Sequence, residues 1–331
     1  MYSFHLDRNS PCVECQDLTD PLDFLDQLRT SQPQWGDRYD CDWVFRGHLN
    51  HEWAVRPVAW RLDGQRILAP LRESFAKYVD DRWSEFDRRL RNEVGGTWPK
   101  DQTIQFLAHI AAEREAVRQF AVLSDQIGRH LPDDLSWVQT GREYLDELGS
   151  QPTVDPDEFL AFAQHHRVPT RLLDWTRSAL VAAFFACWHS DPERSERIGV
   201  WAANVPMLRE TCEHIHALTC RRWQHDFLHA QDGLFLWLDQ HDHDLLIRGE
   251  WPSLVQAIER CSSAPSVRPY RLFTLPTSHA NELLRLLWRE RITIAHLMPT
   301  YEHVSEALIA KWESDPDPAR LEGKRVDESG Y

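Results

Sequence analysis

Apolar residues recur at helical spacing through a long stretch of the first half of the chain. Between residues 67 and 93 they fall three or four positions apart, with charged residues between them, at Leu68, Leu71, Phe75, Tyr78, Val79, Trp83, Phe86 and Leu90. This spacing is typical of an amphipathic helix or helix pair. Two more helical patterns follow, from Asp101 to Ile127 and around Trp137 to Leu148. Residues 67–150 are therefore predicted to form a helical insertion.

A different pattern, apolar on nearly every side, runs from Ala179 to His189. Thr176 or Ser178 can cap this run, so we expect a helix at the centre of the core. Short β-prone runs predict strands at 43–45, 198–202, 234–238 and 271–275. Together these elements predict an α+β fold, in which a mixed sheet carries a central buried helix and a helical insertion.

The same patterns divide the chain into three parts. Residues 1–34 are an N-terminal segment, and residues 35–312 are the main domain, with its insertion at about 67–150. Residues 313–331 are rich in Asp, Pro, Arg and Glu and have too few apolar residues for a packed core. We expect them to form a flexible tail.

The charge of the chain limits its partners. It has 37 Lys and Arg against 52 Asp and Glu, which gives a formal net charge of −15. A chain this acidic has no general attraction to nucleic acids or to anionic membranes. A local basic pocket could still bind phosphate. Most of the cationic residues are Arg, whose planar guanidinium binds phosphate in a bidentate manner. No run of about 18 apolar residues exists, so no transmembrane helix is expected.

Seven cysteines occur at irregular spacing. Residues 1–9 are polar and charged, unlike a secretory leader, so we expect a cytoplasmic, reducing environment and free thiols. Cys12 and Cys15 form a single C-x-x-C pair. Two free thiols near a mobile terminus are favoured there, and a zinc site remains an alternative that the sequence does not decide.

The first β-prone run ends at Phe45, and Arg46-Gly47 predicts a turn directly after it. Phe45-Arg46-Gly47 is the first candidate for chemistry. An Arg at the end of a buried strand requires a partner, because an unpaired buried charge is unfavourable. Gly47 lets a ligand or another backbone approach closely. A phosphate or carboxylate ligand would suit Arg46. A structural ion pair with an internal Asp or Glu is an equally good interpretation.

A second polar segment, Gln164 to Thr176, lies between two predicted helices and contains two His, two Arg, one Asp and two Thr. We expect a loop held by a rigid scaffold, which is where functional residues concentrate. Arg171 and Asp174 could instead pair with each other and fix the turn. Gln164 and His165 could cap the preceding helix.

These two segments resemble the signatures of the FRG domain family. The first signature comprises Phe45-Arg46-Gly47 followed by Trp53, Pro57 and Arg61. The second comprises Gln164-His165, the run Pro169 to Thr176 and the apolar run Leu180 to Ala186. Shorter likenesses follow at 231–235 and at 292–299, so the resemblance extends with gaps from about Trp43 to Leu308.

Three further positions bear on this resemblance. Glu115 with Phe120 resembles the Glu and Phe that commonly follow the first signature. Arg167 stands where the family usually has Gly, which makes the turn harder to build. Thr300 stands near the C-terminal Pro, where the family usually has Asp or a similar residue.

The resemblance does not fix a reaction, because the family is known mostly from bacterial and phage-associated proteins with a defence or toxin character. One hypothesis is an ADP-ribosyltransferase-like enzyme with NAD as its substrate. Arg46, flanked by Phe45 and Gly47, would grip the NAD phosphates and ribose. Gln164, His165 or Thr170 would contact the nicotinamide ribose.

That reaction also requires a carboxylate to stabilise the positive charge that develops on the sugar carbon. The expected Glu-x-Glu is missing, and Glu115 or Gln231 would have to stand in its place. Arg171, Asp174 and Thr176 would complete the ligand-binding surface.

Three other classes of function would use either the same residues or different ones. A binding module for nucleotides or nucleic-acid ends would form its phosphate pocket from Arg46, Arg171 and His165. An interaction protein, half of a toxin–antitoxin or defence pair, would dock on its partner through the helical segment 67–150. The transferase hypothesis instead requires a protein or nucleic-acid acceptor. A His- and Asp-rich stretch invites a metal-dependent hydrolase, at His225, His229, His241, Asp242, His243 and Asp244. It is more simply a solvated loop, and no metal site is predicted.

Overall fold

A computed structural model describes most of the chain. The described residues are 7–37, 41–93, 99–129, 131, 141–146, 158–220, 226–238, 251–262 and 268–314. The predicted flexible tail beyond residue 314 lies outside them. So does most of the His- and Asp-rich stretch, since 221–225 and 239–250 are not described.

Seven strands form one sheet. They are β1 (Val13–Asp17), β2 (Trp43–His48), β3 (Leu173–Thr176), β4 (Arg197–Asn204), β5 (Ile215–Leu218), β6 (Gly233–Leu238) and β7 (Tyr270–Pro276). Their order across the sheet is β1-β7-β4-β2-β3-β6-β5. β1 and β7 run parallel, and every other neighbouring pair is antiparallel. The predicted mixed sheet is confirmed, and β2 lies at its centre.

Helices cover both faces of the sheet. The first half of the chain contributes α1 (Pro21–Leu28), α2 (Leu62–Asp81), α3 (Trp83–Glu93), α4 (Lys100–Gln126), α5 (Gly141–Asp146) and α6 (Glu158–His165). The second half contributes α7 (Ala179–Cys187), α8 (Val205–Thr211), α9 (Asp226–Ala230), α10 (Leu254–Cys261), α11 (Ala280–Arg289), α12 (Ile294–Leu297) and α13 (Tyr301–Ser314). Single turns of 3-10 helix lie at Asp7–Asn9, Pro33–Trp35, Val58–Trp60 and Thr277–His279.

Alternate residues of the central strands face two separate cores, as the two-residue period of a strand requires. Phe45 and Val200 pack with α7, α1 and α11 on one face. Val44 and Trp201 pack with α2, α4 and α10 on the other. The helices of the predicted insertion therefore form most of the second helical layer, and they belong to the core of the domain.

The predicted central helix is confirmed as α7. Its run Ala179–Cys187 is nearly all buried, and the Ser178 hydroxyl accepts a hydrogen bond from the Val181 amide at 3.3 Å. The helix ends two residues before the predicted His189, which has a positive φ of 64°. A left-handed residue at this point ends the helix.

The N-terminal segment differs from the expectation. Residues 13–17 form β1, an edge strand paired with β7, and Cys12 is buried beside it. The prediction of a mobile terminus is therefore wrong for this stretch. The partner strand lies more than 250 residues away along the chain, so no local pattern could reveal the pairing.

The cysteines also differ from the expectation of free thiols. Cys212 and Cys261 form a disulfide, with Cα atoms 5.4 Å apart. That separation is within the ordinary disulfide range, and it arises because the ends of α8 and α10 meet in the fold. The other five cysteines, at positions 12, 15, 41, 187 and 220, form no disulfide.

Candidate functional site

Arg46 lies where the two central strands separate. β2 and β3 pair at a single register, Phe45 opposite Thr176. Beyond that pair, Arg46 Nη1 donates to the Asp174 carbonyl oxygen at 2.5 Å and lies 3.8 Å from the Asp174 carboxylate. The sequence placed a turn after Phe45, but β2 continues to His48 because it pairs with β4 over its whole length.

His48 is the second member of the site and was not predicted. It lies two residues after Arg46 on the same face of β2, and its Nε2 accepts a hydrogen bond from Arg46 Nε at 3.0 Å. Burial, followed by the charges of Arg46 and Arg61, holds the pKa of His48 well below its usual value. The imidazole is therefore neutral at pH 7 and orients the guanidinium without adding charge.

Arg61 is the third member and brings a second, partly buried cation. Its Nε donates to the Arg56 carbonyl oxygen at 2.7 Å, and burial lowers its pKa. The charges of Asp174 and Asp63 partly offset this lowering, and the charge of Arg56 adds to it. The pKa of Arg46 falls to about 10, first because of burial and then because of the Arg61 charge.

The electrostatics of this group are unbalanced. The side chain of Arg46 is only 13% exposed, whereas that of its carboxylate neighbour, Asp174, is 58% exposed. Water therefore screens the Asp174 charge and weakens its attraction to Arg46. Arg46 Nη2 has no protein partner among the described residues. We call Arg46, His48, Arg61 and Asp174 the arginine cluster.

A buried ion-pair network supports the arginine cluster from behind. Glu113 of α4 contacts Arg171 Nε at 3.1 Å, Trp60 Nε1 at 3.1 Å and His109 Nε2 at 3.2 Å. Burial raises the pKa of Glu113, but Arg171 and His109 outweigh it, so that the net pKa is about 2. Because Trp60 directly precedes Arg61 and Arg171 lies three residues before Asp174, this network fixes both sides of the cluster.

The network corrects the expected pairing of Arg171 with Asp174. The partner of Arg171 is Glu113, which is 58 positions away, and Asp174 contacts Arg46. The structural ion pair that the sequence allowed for Arg46 therefore exists, although its 3.8 Å separation is long.

Gly47 and Phe45 have packing roles. An added Cβ at Gly47 would overlap the Ala182 carbonyl oxygen and lie 2.5 Å from the Ala186 nitrogen. The absence of a side chain at Gly47 therefore allows the backbone of α7 to pack closely against β2. Of the two possibilities that the sequence left open, a ligand or another backbone, the structure has the backbone. Phe45 is fully buried on that same face, with its ring 5.0 Å from Trp35.

The second polar segment is part loop and part strand. The Thr170 hydroxyl donates to Gln164 Oε1, and the Thr170 carbonyl oxygen accepts from the Ala59 amide at 3.2 Å. Gln164 is buried, and its Nε2 has no hydrogen-bond partner among the described residues. Leu173–Thr176 forms β3, although a loop was expected, because it pairs with both β2 and β6.

Arg167 confirms the strain expected at its position. Its φ is +70°, in the left-handed region that glycine adopts without penalty. A side chain there costs on the order of 1 kcal/mol. The turn between α6 and β3 is built despite this cost.

The predicted site residue Glu115 has partners away from the arginine cluster. Glu115 accepts from Arg118, from Gln119 and from the Gly141 amide, which begins α5. It lies two residues after Glu113, on nearly the opposite face of α4. Glu115 thus points away from the network that joins α4 to the arginine cluster.

Gln231, Thr176 and His165 lie on the β6 side of the site. The side-chain amide of Gln231 donates through Nε2 to the Leu297 carbonyl oxygen at 3.2 Å. The backbone carbonyl oxygen of Gln231 accepts from the Thr176 hydroxyl at 2.6 Å. Thr176 also accepts from the Ser178 amide, just before α7. The His165 ring lies 4.9 Å from that of Phe227. These contacts join the second signature to the C-terminal helices.

Local signals for the missed residues were weak. His48 could have been found from the two-residue period of β2, which puts it beside Arg46. Glu113 and His109 share one face of a helix at a spacing of four, but nothing local links them to Arg171. Within the described residues, no group of three or more His, Cys, Asp or Glu is arranged to hold a metal ion. None of the helices described is both long enough and apolar enough to cross a membrane.

The fold and the site define an α+β domain with a buried arginine cluster on its central strand. Residues 41–195 match the family model of the FRG domain, and the match contains the arginine cluster and the Glu113 network. The chain therefore contains an FRG domain at residues 41–195. No curated protein and no solved structure matches the chain.

Proposed function

We propose that this FRG domain binds the phosphate groups of a nucleotide-type ligand at Arg46 and Arg61. One observation carries the proposal: Arg46 lies close enough to Arg61 for the Arg61 charge to lower its pKa, and the carboxylate that Arg46 contacts, Asp174, is mostly exposed. Buried cations are normally paired more fully than this. An anionic ligand would complete the pairing.

A phosphate fits the arrangement better than a single carboxylate does. Guanidinium groups bind phosphate through paired N–H donors. A diphosphate carries enough negative charge to neutralise both arginines and remove their mutual repulsion. The neutral His48 holds Arg46 at Nε and the Asp174 carbonyl oxygen holds it at Nη1, which leaves Nη2 for the ligand.

NAD is the substrate that we propose first, because its diphosphate suits both arginines. In this finer proposal the domain is an ADP-ribosyltransferase-like enzyme. Glu115 and Gln231 have partners elsewhere, so the carboxylate nearest the phosphates is Asp174. Its exposed oxygen would stabilise the positive charge that develops on the ribose carbon when nicotinamide leaves.

Incubation with NAD separates binding from chemistry. Calorimetry would measure binding and chromatography would measure nicotinamide release, with cell lysate supplied as a source of acceptor. Arg46→Gln is expected to abolish both signals, and Asp174→Asn to abolish release while retaining most binding. Arg194→Gln, which alters an arginine whose side chain is 87% exposed, is the matched control.

Each result has a definite consequence. Binding without release from the folded parent protein would refute the transferase and leave a nucleotide-binding module. A folded parent protein that binds neither NAD nor simpler phosphate compounds would refute the proposal as a whole.

A further inference from the structure

Trp53 is exposed beside the arginine cluster. Its side chain is 49% exposed, whereas Trp60, Trp175 and Trp201 on the same face of the sheet are buried. The other described tryptophans with comparable exposure, Trp288 and Trp312, belong to the C-terminal helices. A ligand ring that covered this indole would gain the free energy of removing apolar surface from water.

Trp53 neighbours the arginine cluster through the ring of His48. The centroid of the His48 ring lies 6.3 Å from that of Trp53, and the same His48 accepts a hydrogen bond from Arg46. The two rings are tilted by 55° to each other, so the indole neighbours the buried imidazole. About half of Trp53 lies at the surface, and the His48 ring lies between it and the Arg46 guanidinium.

The turn that carries Trp53 is held in place by hydrogen bonds. The Trp53 amide donates to the Asn50 carbonyl oxygen at 3.1 Å, and the Glu52 amide donates to the Asn50 side chain at 2.9 Å. His51 is tied to the Arg197 carbonyl oxygen of β4 through its amide at 3.1 Å. A preorganised aromatic side chain loses little conformational entropy when a ligand covers it.

We infer that Trp53 is the stacking platform for the base of the ligand whose phosphates bind Arg46 and Arg61. This inference rests on the function proposed above and narrows it, since the ligand must carry an aromatic ring within reach of its phosphates. Every nucleobase has a π-face that can stack on an indole. Free phosphate, pyrophosphate and phosphorylated sugars would leave Trp53 uncovered.

The test compares ADP with pyrophosphate by titration calorimetry. In the parent protein, ADP is expected to bind at least tenfold more tightly than pyrophosphate. Trp53→Ala is expected to weaken ADP binding by about 5- to 150-fold and to change pyrophosphate binding by less than about twofold. Trp53→Phe is expected to retain most of the ADP affinity, because a phenyl ring still stacks.

Trp288→Ala removes a partly exposed indole far along the chain and is the matched control. Thermal melts of each variant confirm that it is folded. Equal ADP affinity in Trp53→Ala and the parent protein would overturn the stacking role while the phosphate site stands. Equal weakening of ADP and pyrophosphate would also overturn it, since Trp53 would then only support the arginine cluster. A parent protein that binds neither compound would refute the phosphate site, and the inference with it.

Discussion

Replacing Glu113 by Gln tests whether the buried network behind the site stabilises the fold. Gln has nearly the same shape and can still accept a hydrogen bond from Trp60 Nε1. It cannot supply the negative charge that faces Arg171, whose side chain is only 12% exposed. The substitution therefore isolates the charge at a constant volume.

Two routes give a similar magnitude for the loss. Removing one partner of a buried ion pair typically costs about 3–5 kcal/mol. Independently, the pKa of Glu113 is lowered from 4.5 to about 2, which at about 1.4 kcal/mol per pH unit corresponds to roughly 3 kcal/mol. We therefore expect Glu113→Gln to lower the free energy of unfolding at pH 7 by about 3 kcal/mol.

The assay is urea unfolding followed by tryptophan fluorescence. Glu85→Gln is the control, because Glu85 pairs with Arg89 at 2.6 Å on the surface, where such pairs contribute less than about 1 kcal/mol. A loss below about 1 kcal/mol for Glu113→Gln would refute the importance of the network. So would equal losses for the two variants.

The same pair of proteins gives a pH test. A carboxylate whose folded pKa is lowered stabilises the fold fully above its unfolded pKa, and that stability is lost as the pH falls through the folded pKa. For Glu113 the window runs from about pH 4.5 down to about pH 2. The stability difference between the parent protein and Glu113→Gln should be constant above this window and should shrink within it. A difference that stays constant to pH 3 would contradict the assignment.

Two further predictions concern packing and covalent structure. Gly47→Ala should destabilise the protein by about 3 kcal/mol or more in thermal unfolding, because both contacts of the new Cβ are backbone atoms of α7. Gly199→Ala, whose closest contacts lie at 3.1 Å, should cost clearly less, and equal losses would argue against the close approach of α7. Alkylation of the denatured, unreduced protein should modify five of its seven cysteines, and modification of all seven would contradict the Cys212–Cys261 disulfide.

Patterns with a local period predicted their elements well. The helical spacing over 67–93 corresponds to α2 and α3, although α2 begins earlier, at Leu62, and continues through Pro70. The all-apolar run after Ser178 corresponds to α7. These elements follow from side chains three or four residues apart, which a sequence displays directly.

Features that depend on distant pairings were missed or misassigned. Leu173–Thr176 was interpreted as loop because its strand character depends on β2 and β6. The partner of Arg171 lies in α4, and the strand that pairs with β1 lies near the other end of the chain. Residue chemistry identified Arg46 as a buried cation, but its environment of His48 and Arg61 appears only when β2 and the 56–61 segment come together.

Pyrophosphate binding tests the central proposal most directly, since it requires both arginines and no base. Calorimetry at low salt would compare the parent protein with Arg46→Gln, Arg61→Gln and the control Arg194→Gln. We predict one bound pyrophosphate per chain, an affinity loss of at least about tenfold for each of the first two variants, and no change in the control. Absence of binding by the folded parent protein, or equal affinity in all four proteins, would contradict a phosphate site at Arg46 and Arg61.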